Sequence, residues 1–258
     1  MLGLGTSIIK GAGRASNLGI ITDNLVLKHD YDAGRVHQVS TGAASINAEA
    51  AGTDFINVGT ITIGTGDISV SAWVYVTSFV NYAGIFTNRE EGGSQPGIEI
   101  RTLSSNKIEC IIDDGNSSDD AESGELETNR WYHVCAVWDR SDKQFLYIDG
   151  VLVASEAITT ESDTLNHSDD ALIGKRTYGS GPTVTYFRGH ICNVGYWNRV
   201  LSQAEVKSIW YKNYADLTTA EKTSLLSWWN LNEETNTSGN AGTGGVKDHH
   251  GSNHGALS

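Results

Sequence analysis

The stretch "GDISVSAWVYV", residues 66–76, decides the fold class. Its even-numbered residues from Ile68 to Val76 are all apolar and fall on one face of an extended chain. The odd-numbered residues from Ser69 to Tyr75 fall on the other face and include two serines. A period of two predicts a β-strand with one face in the core and one wetter face.

The same alternation recurs along most of the chain. "RWYHVCAVWDR", residues 130–140, predicts another strand, and "QFLYIDGVLVASE", residues 144–156, predicts two strands joined by Asp149-Gly150. This dipeptide supplies the positive-φ residues of a type I′ hairpin. Further short runs of the same kind cover residues 83–87, 97–102, 107–113, 171–175 and 186–197. Many short strands separated by turns predict an all-β, antiparallel sandwich or jelly roll.

One helical excursion near residues 201–226 interrupts the strands. Ser202 precedes Glu205 by three residues, and Thr218 precedes Glu221 by three, which is the spacing of a capping box. We therefore predict helices at about 202–213 and 218–226. Closing strands are expected within residues 227–258.

The first 22 residues differ in composition from the rest. They are rich in glycine and show no amphipathic period, so we predict an N-terminal arm over residues 1–22 and a sandwich over 23–258. Such an arm is ordered only against a partner. We expect that partner to be another subunit of an assembly or a second copy of the chain.

Composition excludes several functional classes. A net charge of −13 without a basic cluster argues against nucleic acid as a partner. The apolar runs are shorter than the roughly 20 residues of a membrane span. The N-terminus lacks the apolar segment of a signal peptide, so we expect no secretion. Cys110, Cys135 and Cys192 are expected to be reduced thiols that pack in the core.

Several segments together resemble the laminin G-like, concanavalin A-like jelly rolls. The resemblance covers most of residues 40–212 and implies a jelly-roll sandwich. It is carried by "GDISVSAWVYV", "NRWYHVCAVWDR", "FLYIDGVLVAS", "DDALIGKR" and "YFRGHICNVGYWNRVLSQAEVKSIW".

The closing stretch, residues 227–258, resembles the strand and loop that usually begin such domains. Because the first and last strands of a sandwich often lie side by side, we expect it to be structural, with Trp228 in the core. A metal site at His249, His250 and His254 is the alternative, although zinc prefers a closed set of ligands at fixed spacing.

Relatives of this kind often hold a structural Ca²⁺. In this chain Asp248 and Asn253 match one element of that site, whereas Cys192 and Asn193 stand where acidic residues are usual. Ca²⁺ takes six to eight oxygen ligands and gains little from a thiol. No cofactor is therefore required, and a calcium site at Asp248 and Asn253 stays an open alternative.

The fold also includes glycoside hydrolases and polysaccharide lyases, but the sequence lacks their catalytic patterns. Hydrolysis needs two carboxylates about 5–9.5 Å apart, and the ExDxxE strand of the retaining enzymes is absent. "GIEIRT", residues 97–102, approaches the RxExR-like strand of the lyases and lacks its first arginine. The adjacent aspartate pairs at 113–114, 119–120 and 169–170 are typical of turns. We predict no catalytic residue and no enzymatic activity.

Carbohydrate binding is the commonest activity that the resemblance implies. Sugars stack on exposed aromatic rings, and the candidates are Trp73, Tyr75, Tyr82 and Tyr178. Trp131 and Trp197 are further candidates by alternation. Large aromatic residues at alternating strand positions are more often buried, so the choice among them stays open.

The beginning of the chain carries a second resemblance. "GLGTSIIKGAGRASNLGIITDNLVLKHDYDAG", residues 3–34, is similar to the start of laminin G-like proteins of marine tailed bacteriophages. This implies a non-catalytic virion protein, made in the host cytoplasm: a capsid decoration, head fibre or tail fibre component. Its partners would be other virion subunits, or itself, and a cell-surface glycan bound through many copies. The alternatives are a free carbohydrate-binding lectin module and, less favoured, a polysaccharide lyase or hydrolase.

Overall fold

The computed structural model describes residues 27–30, 35–38, 40, 42–47, 52–89, 96–159, 161–178, 183–232 and 245–257. The predicted arm, residues 1–22, lies outside the described residues. For residues 27–30, 35–38, Tyr178, Thr183 and Leu257 only the backbone is described.

The described residues form nineteen strands and one α-helix, numbered here in chain order. The strands are β1 (Leu27–Asp30), β2 (Arg35–Gln38), β3 (Ala44–Ile46), β4 (Ile56–Asn57), β5 (Ile68–Val76), β6 (Ala83–Arg89), β7 (Gly97–Leu103), β8 (Lys107–Asp113), β9 (Ser118–Glu122), β10 (Trp131–Trp138), β11 (Lys143–Ile148), β12 (Val151–Ala157), β13 (Leu172–Ile173), β14 (Lys175–Tyr178), β15 (Thr183–Tyr186), β16 (Gly189–Trp197), β17 (Leu225–Trp229), β18 (Gly245–Val246) and β19 (Gly255–Leu257). Helix α1 is Gln203–Ile209, and a 3₁₀-helix follows at Tyr214–Asp216.

These strands build two stacked sheets, as predicted for a jelly roll. The seven-stranded sheet has the order β12-β11-β10-β5-β16-β17, with β3 also paired to β16. The ten-stranded sheet has the order β18-β19-β4-β13-β6-β7-β8-β9, with β14 and β15 beside β6. Neighbours in both sheets are antiparallel except for one parallel bridge between β15 and β6. Strands β1 and β2 form a separate two-stranded sheet.

The core lies between the two sheets. The even-numbered residues from Ile68 to Val76 of β5 belong to it and are almost completely buried. The opposite face of β5, expected to be wetter, is also buried at Ser69, Ser71 and Trp73. Helix α1 and the residues after it pack on this outer face, which explains the difference. Within the described residues, no helix has both the length and the apolar character needed to cross a membrane.

The predicted start of helix α1 is correct. Ser202 is its N-cap: the Ser202 hydroxyl accepts the N–H of Glu205, and the Glu205 carboxylate accepts the N–H of Ser202 at 2.9 Å. The helix is shorter than the predicted 202–213 and ends at Ile209. Its buried residues Val206 and Ile209 pack in a second cluster with Trp197 and Trp228.

The second predicted helix, at 218–226, does not form. Thr218 and Glu221 do exchange capping hydrogen bonds, but residues 219–224 make turns and β17 begins at Leu225. Ser224 has a φ of +57°, which ends any helix there. Pairing of β17 with β16 is a tertiary interaction that outweighs the local helical preference.

The closing stretch contributes strands to both sheets. Strand β17 pairs with β16 in the seven-stranded sheet, and β19 pairs with β4 in the ten-stranded sheet. Trp228 is only 1% exposed and meets the Trp197 ring edge-on at 5.9 Å. The Trp229 indole N–H donates to the carbonyl of Asn253 at 2.7 Å.

The β11–β12 connection has the expected hairpin geometry. Asp149 and Gly150 have φ values of +51° and +74°, as a type I′ turn requires. The Asp149 carboxylate also accepts the N–H of His133 at 2.9 Å, which fixes the turn against β10.

Candidate functional site

The predicted glycan-binding aromatic residues lie on different sheets. Tyr82 directly precedes β6 of the ten-stranded sheet and keeps 42% of its surface exposed. Tyr178 ends β14, beside β6, and its side chain lies outside the described part of the chain. Trp73 and Tyr75 lie on β5 of the seven-stranded sheet. The four candidates therefore do not form one site.

Trp73 is a packing residue and not an accessible ring. Its side chain is buried, and its indole N–H donates to the carbonyl of Trp210 at 2.9 Å. The ring also lies 5.6 Å from that of His133, whose pKa is lowered to about 3 by burial. Because the residues after α1 cover this part of β5, Trp73 has no open ring face for a sugar.

Tyr75 belongs to a small aromatic cluster with Trp131 and His190. Tyr75 on β5 lies between Trp131 on β10 and His190 on β16, and all three residues are half-buried. The Tyr75 ring lies 5.6 Å from that of Trp131 and 5.5 Å from that of His190. The ring centres of Trp131 and His190 are 6.3 Å apart. Much of this aromatic surface is therefore used for contacts within the cluster.

The outer face of the ten-stranded sheet carries a different arrangement, an arginine–carboxylate network. Since Ile98 and Ile100 of β7 point into the core, Glu99 and Arg101 point away from it. The network comprises Arg89 of β6, Glu99 and Arg101 of β7, Glu109 and Asp113 of β8, and Arg176 of β14.

Glu99 is the centre of this network. It is 0% exposed, and its Oε2 accepts hydrogen bonds from Arg101 Nη1 at 3.2 Å and Arg176 Nε at 3.0 Å. Arg89 Nη1 lies 3.7 Å from the same oxygen. Three guanidinium groups thus converge on one carboxylate oxygen, which fixes them relative to the sheet.

The other two carboxylates neutralise the remaining positive charge. Arg101 is paired with Glu109, and Arg89 with Asp113. Burial raises the pKa of Glu109, opposed by the nearby Arg101, and burial lowers the pKa of Arg176. Among the described ion pairs of this network, three arginines and three carboxylates balance in formal charge.

Two buried polar atoms of this face have no hydrogen-bond partner among the residues that the structure describes. They are Oε1 of Glu99 and the Thr87 hydroxyl oxygen. Thr87 and Glu99 stand directly opposite each other on β6 and β7. The Glu99 oxygen can only accept a hydrogen bond, whereas the Thr87 hydroxyl can accept or donate one.

Tyr82 covers part of the network and is its exposed aromatic element. The guanidinium carbons of Arg101 and Arg176 lie 4.4 and 5.2 Å from the centre of the Tyr82 ring. Thr185 Oγ1 donates to the Tyr82 carbonyl and holds its backbone. Tyr82, Arg101 and Arg176 with the Glu99 carboxylate beneath them are called the Tyr82 surface below. It combines an exposed tyrosine with two fixed guanidinium groups, of which Arg101 keeps 7% and Arg176 5% of its surface exposed.

The adjacent aspartate pairs have structural roles. Asp113 pairs with Arg89, and Asp114 accepts the N–H groups of Asn116 and Ser117 at 3.0 and 3.2 Å. Asp119 and Asp120 follow each other on β9 and therefore point to opposite faces. Asp170 accepts from the Asn57 amide at 2.9 Å and the Thr60 hydroxyl at 3.0 Å. Asp114 and Asp170 anchor a turn and a loop, whereas Asp113 lies in β8 and Asp119 and Asp120 lie in β9. The prediction of turns is therefore wrong for these last three residues.

The three cysteines are unpaired and buried. Burial raises the pKa of all three thiols, that of Cys192 to about 12. A neutral thiol is a poor nucleophile, so the cysteines fit packing and not covalent catalysis.

The surroundings of Asp248 do not fit a calcium site. One carboxylate oxygen accepts the N–H groups of Trp228, His250 and Gly251 at 2.9–3.0 Å, and the other accepts the N–H of Asn253 at 3.0 Å. Four N–H dipoles directed at one carboxylate stabilise the anion and leave little lone-pair density for a cation. The Asn253 side-chain amide donates to Ser227 Oγ at 2.7 Å. Both residues therefore organise the closing loop.

The closing histidines point to different partners. His254 Nδ1 accepts the N–H of Asp248 at 3.1 Å, whereas His250 Nδ1 lies 3.2 Å from the Tyr214 hydroxyl. In the described residues, a single group of three His, Cys, Asp or Glu residues has ligand atoms within 4.8 Å of one another: Glu109, Asp120 and Glu122. Two of these carboxylates are already paired, with Arg101 and Lys107.

A comparison with protein families decides the membership of the chain. The model of the concanavalin A-like lectin/glucanases superfamily, of the laminin G type, matches residues 50–207. The chain belongs to this superfamily. The membership and the fold predicted from the sequence are confirmed, and a comparison with curated proteins gave no match.

Solved structures of this superfamily fold share little sequence with the chain. A candidate carbohydrate-binding protein from Bacteroides ovatus has a TM-score of 0.61 and 19% identity, over 83% of this chain and 57% of that protein. The chain thus corresponds to 57% of that protein's length. The CBM40 module of the Ruminococcus gnavus IT-sialidase, bound to α2,3-sialyllactose, has a TM-score of 0.53 and 13% identity, over 66% of this chain and 98% of the module. At these identities the likeness shows the fold alone.

Proposed function

We propose that this chain is a non-catalytic, carbohydrate-binding jelly roll whose glycan site is the Tyr82 surface. The observation that carries the proposal is the position of Tyr82: the residue is 42% exposed, and its ring rests on two guanidinium groups fixed by one buried carboxylate.

The chemistry of the surface suits a sugar. The apolar C–H face of a pyranose stacks on an aromatic ring, while its hydroxyl groups take hydrogen bonds from guanidinium N–H groups and donate to carboxylates. Because Glu99 fixes Arg101 and Arg176 before a ligand arrives, little side-chain entropy is lost on binding. The carbohydrate-binding proteins among the similar folds support this choice of ligand class.

We also propose that the chain has no catalytic activity on the sugar it binds. In the described network every carboxylate has an arginine partner, and none is arranged as an acid facing a nucleophile across a sugar. Incubation with a binding oligosaccharide and chromatography of the products tests this point. Intact sugar is the expected result, and shortened or unsaturated products would contradict it.

The role of the chain as a virion component has a separate basis. It rests on the resemblance of residues 3–34 to the start of laminin G-like phage proteins, and glycan binding at the Tyr82 surface does not depend on it. Mass spectrometry of purified particles tests it. Finding the protein at a fixed copy number supports the virion role, and its absence from the particles contradicts it.

Glycan binding is tested with two variants that replace residues of similar exposure. Tyr82→Ala removes the exposed ring of the site, whereas Leu152→Ala removes a side chain that is 41% exposed on the edge strand of the other sheet. On a glycan array and by calorimetry, Tyr82→Ala should weaken binding at least about tenfold, as loss of an anchoring aromatic residue does. Leu152→Ala should bind like wild type. Equal affinities of Tyr82→Ala and wild type would exclude this surface.

A further inference from the structure

We infer that the Tyr82 surface selects neutral saccharides that donate hydroxyl groups, and rejects sugars that carry carboxylate or sulfate groups. The inference rests on the proposed function and adds the class of ligand. Three converging arginines would by themselves indicate a site for anions, because arginine clusters commonly bind them. The inferred preference for neutral sugars is the opposite.

The first reason is that the positive charge of the site is already balanced. Arg101 contacts both Glu99 and Glu109, Arg89 contacts Asp113 and lies 3.7 Å from Glu99, and Arg176 contacts Glu99. An acidic sugar would have to compete with Glu99 for Arg101 and Arg176. Success would leave a fully buried carboxylate without its partners, which is strongly unfavourable.

The second reason is the unpaired oxygen of Glu99. Three guanidinium groups approach Oε2, while Oε1 is buried with no hydrogen-bond partner. An anionic group near Oε1 is repelled, whereas a donor is attracted. The neighbouring Thr87 hydroxyl, also without a partner among the described residues, can either accept or donate a hydrogen bond. Glu99 Oε1 can only accept, so it favours donors in the ligand, and sugar hydroxyl groups are donors.

The third reason is the charge around the network. Glu122 of β9 stands opposite Glu109, and the exposed Asp120 lies two residues before it. Lys107 neutralises Glu122 at 2.8 Å, but the chain as a whole carries a charge of −13. Long-range electrostatics thus slow the approach of polyanionic glycans, most strongly at low salt.

The test is a binding panel of matched neutral and acidic oligosaccharides. Cello-, xylo-, manno- and galacto-oligosaccharides are compared with oligogalacturonate, oligoguluronate, sulfated galactan and α2,3-sialyllactose, with lactose as the neutral match of the last. We expect every binder to be neutral and its affinity to change less than about twofold between low and high salt. An acidic binder, or an affinity that falls steeply with salt, overturns this inference and leaves the proposed function intact. Failure of the whole panel to bind would instead overturn the proposed function.

The variant Glu99→Gln tests the charge argument directly. Removal of the buried negative charge leaves Arg101 and Arg176 unbalanced, so the variant should gain binding to an acidic oligosaccharide that wild type rejects. Glu156→Gln, at an exposed acid on β12 of the other sheet, is the control and should keep the wild-type selectivity. A folded Glu99→Gln that still rejects every acidic sugar overturns the inference. If this variant does not fold, the inference is tested by the salt dependence of oligosaccharide binding to the wild-type protein.

Discussion

The guanidinium of Arg89 on β6 lies 3.7 Å from the carboxylate of Glu99 on the neighbouring strand β7. Arg89 stands opposite Gly97, the position at which the lyase-like strand pattern would have an arginine. Gly97 has a φ of +139°, and a Cβ there would lie 2.2 Å from the carbonyl oxygen of Asn88. No side chain fits at 97, and the Arg89 guanidinium on the neighbouring strand is itself paired with Asp113.

Removal of Arg89 should therefore cost stability. Arg89→Ala removes a cation from the buried carboxylates Asp113 and Glu99. Removal of one partner of a buried ion pair typically lowers the free energy of unfolding by about 3–5 kcal/mol. Urea denaturation measures the change. The control Arg130→Ala breaks an ion pair with Asp149 in which the arginine side chain is 55% exposed, and it should cost less than about 1 kcal/mol. Equal losses for the two variants would contradict the importance of the network.

The closing stretch should be essential to the fold. Trp228→Ala empties a fully buried position beside Trp197 and should destabilise the protein by about 3–5 kcal/mol. Thermal and urea unfolding measure this loss, with Leu152→Ala as the exposed control. An unchanged melting temperature would mean that residues after 227 add nothing to the domain.

Glu221 should make the protein sensitive to acid. Burial favours its neutral form, but hydrogen bonds from Lys212, Ser208 and Thr218 outweigh burial and lower the pKa of Glu221 from 4.5 to about 2. A carboxylate with a depressed pKa stabilises the fold above its unfolded pKa, and this stability, on the order of 3 kcal/mol, is lost as pH falls from 4.5 towards 2. Glu221→Gln should lose it already at neutral pH. A variant with the same acid unfolding profile as wild type would contradict this assignment.

Asp119 should have the opposite effect. Burial and a hydrogen bond with Glu161 raise the pKa of Asp119 above 3.8, so its contribution is favourable at acidic pH and is lost as pH rises through the folded pKa. Asp119→Asn should therefore raise the melting temperature at neutral pH. Asp54→Asn, at an exposed aspartate before β4, is the control and should change it little. A lower melting temperature for Asp119→Asn would show that the charged form is the stabilising one.

Calcium should not stabilise the protein. Because four backbone N–H groups already satisfy the Asp248 carboxylate, Ca²⁺ and a chelator should give the same melting temperature. Asp248→Ala should lower it by leaving these donors without an acceptor, at a cost of about 1–3 kcal/mol for each group that stays buried. A rise in melting temperature on adding Ca²⁺ would restore the calcium site at Asp248 and Asn253.

The fold could be predicted because its signals are local and repeated. Alternation in β5 and β10, the Asp149-Gly150 turn and the Ser202 capping box each depend on a few adjacent residues. The helix at 218–226 was predicted wrongly from the same kind of signal. Its capping hydrogen bonds are present, but pairing of β17 with β16, distant in the chain, determines the conformation from Leu225 onward.

The candidate site could be predicted only in part. The exposed Tyr82 and the Glu99–Arg101 pair of "GIEIRT" were visible in the sequence. The contributions of Arg89 and Arg176 were not, since they depend on the register of β6 with β7 and on the position of β14. Alternation also cannot tell whether an outer sheet face is open or covered, and for this reason Trp73 was a candidate although Trp210 packs over it.

The most direct test of glycan binding at the Tyr82 surface is a crystal structure with the oligosaccharide that binds most tightly. We expect a sugar ring stacked on Tyr82, with hydroxyl groups hydrogen-bonded to Arg101 or Arg176. A sugar bound at the cluster of Tyr75, Trp131 and His190, on the other sheet, would contradict it.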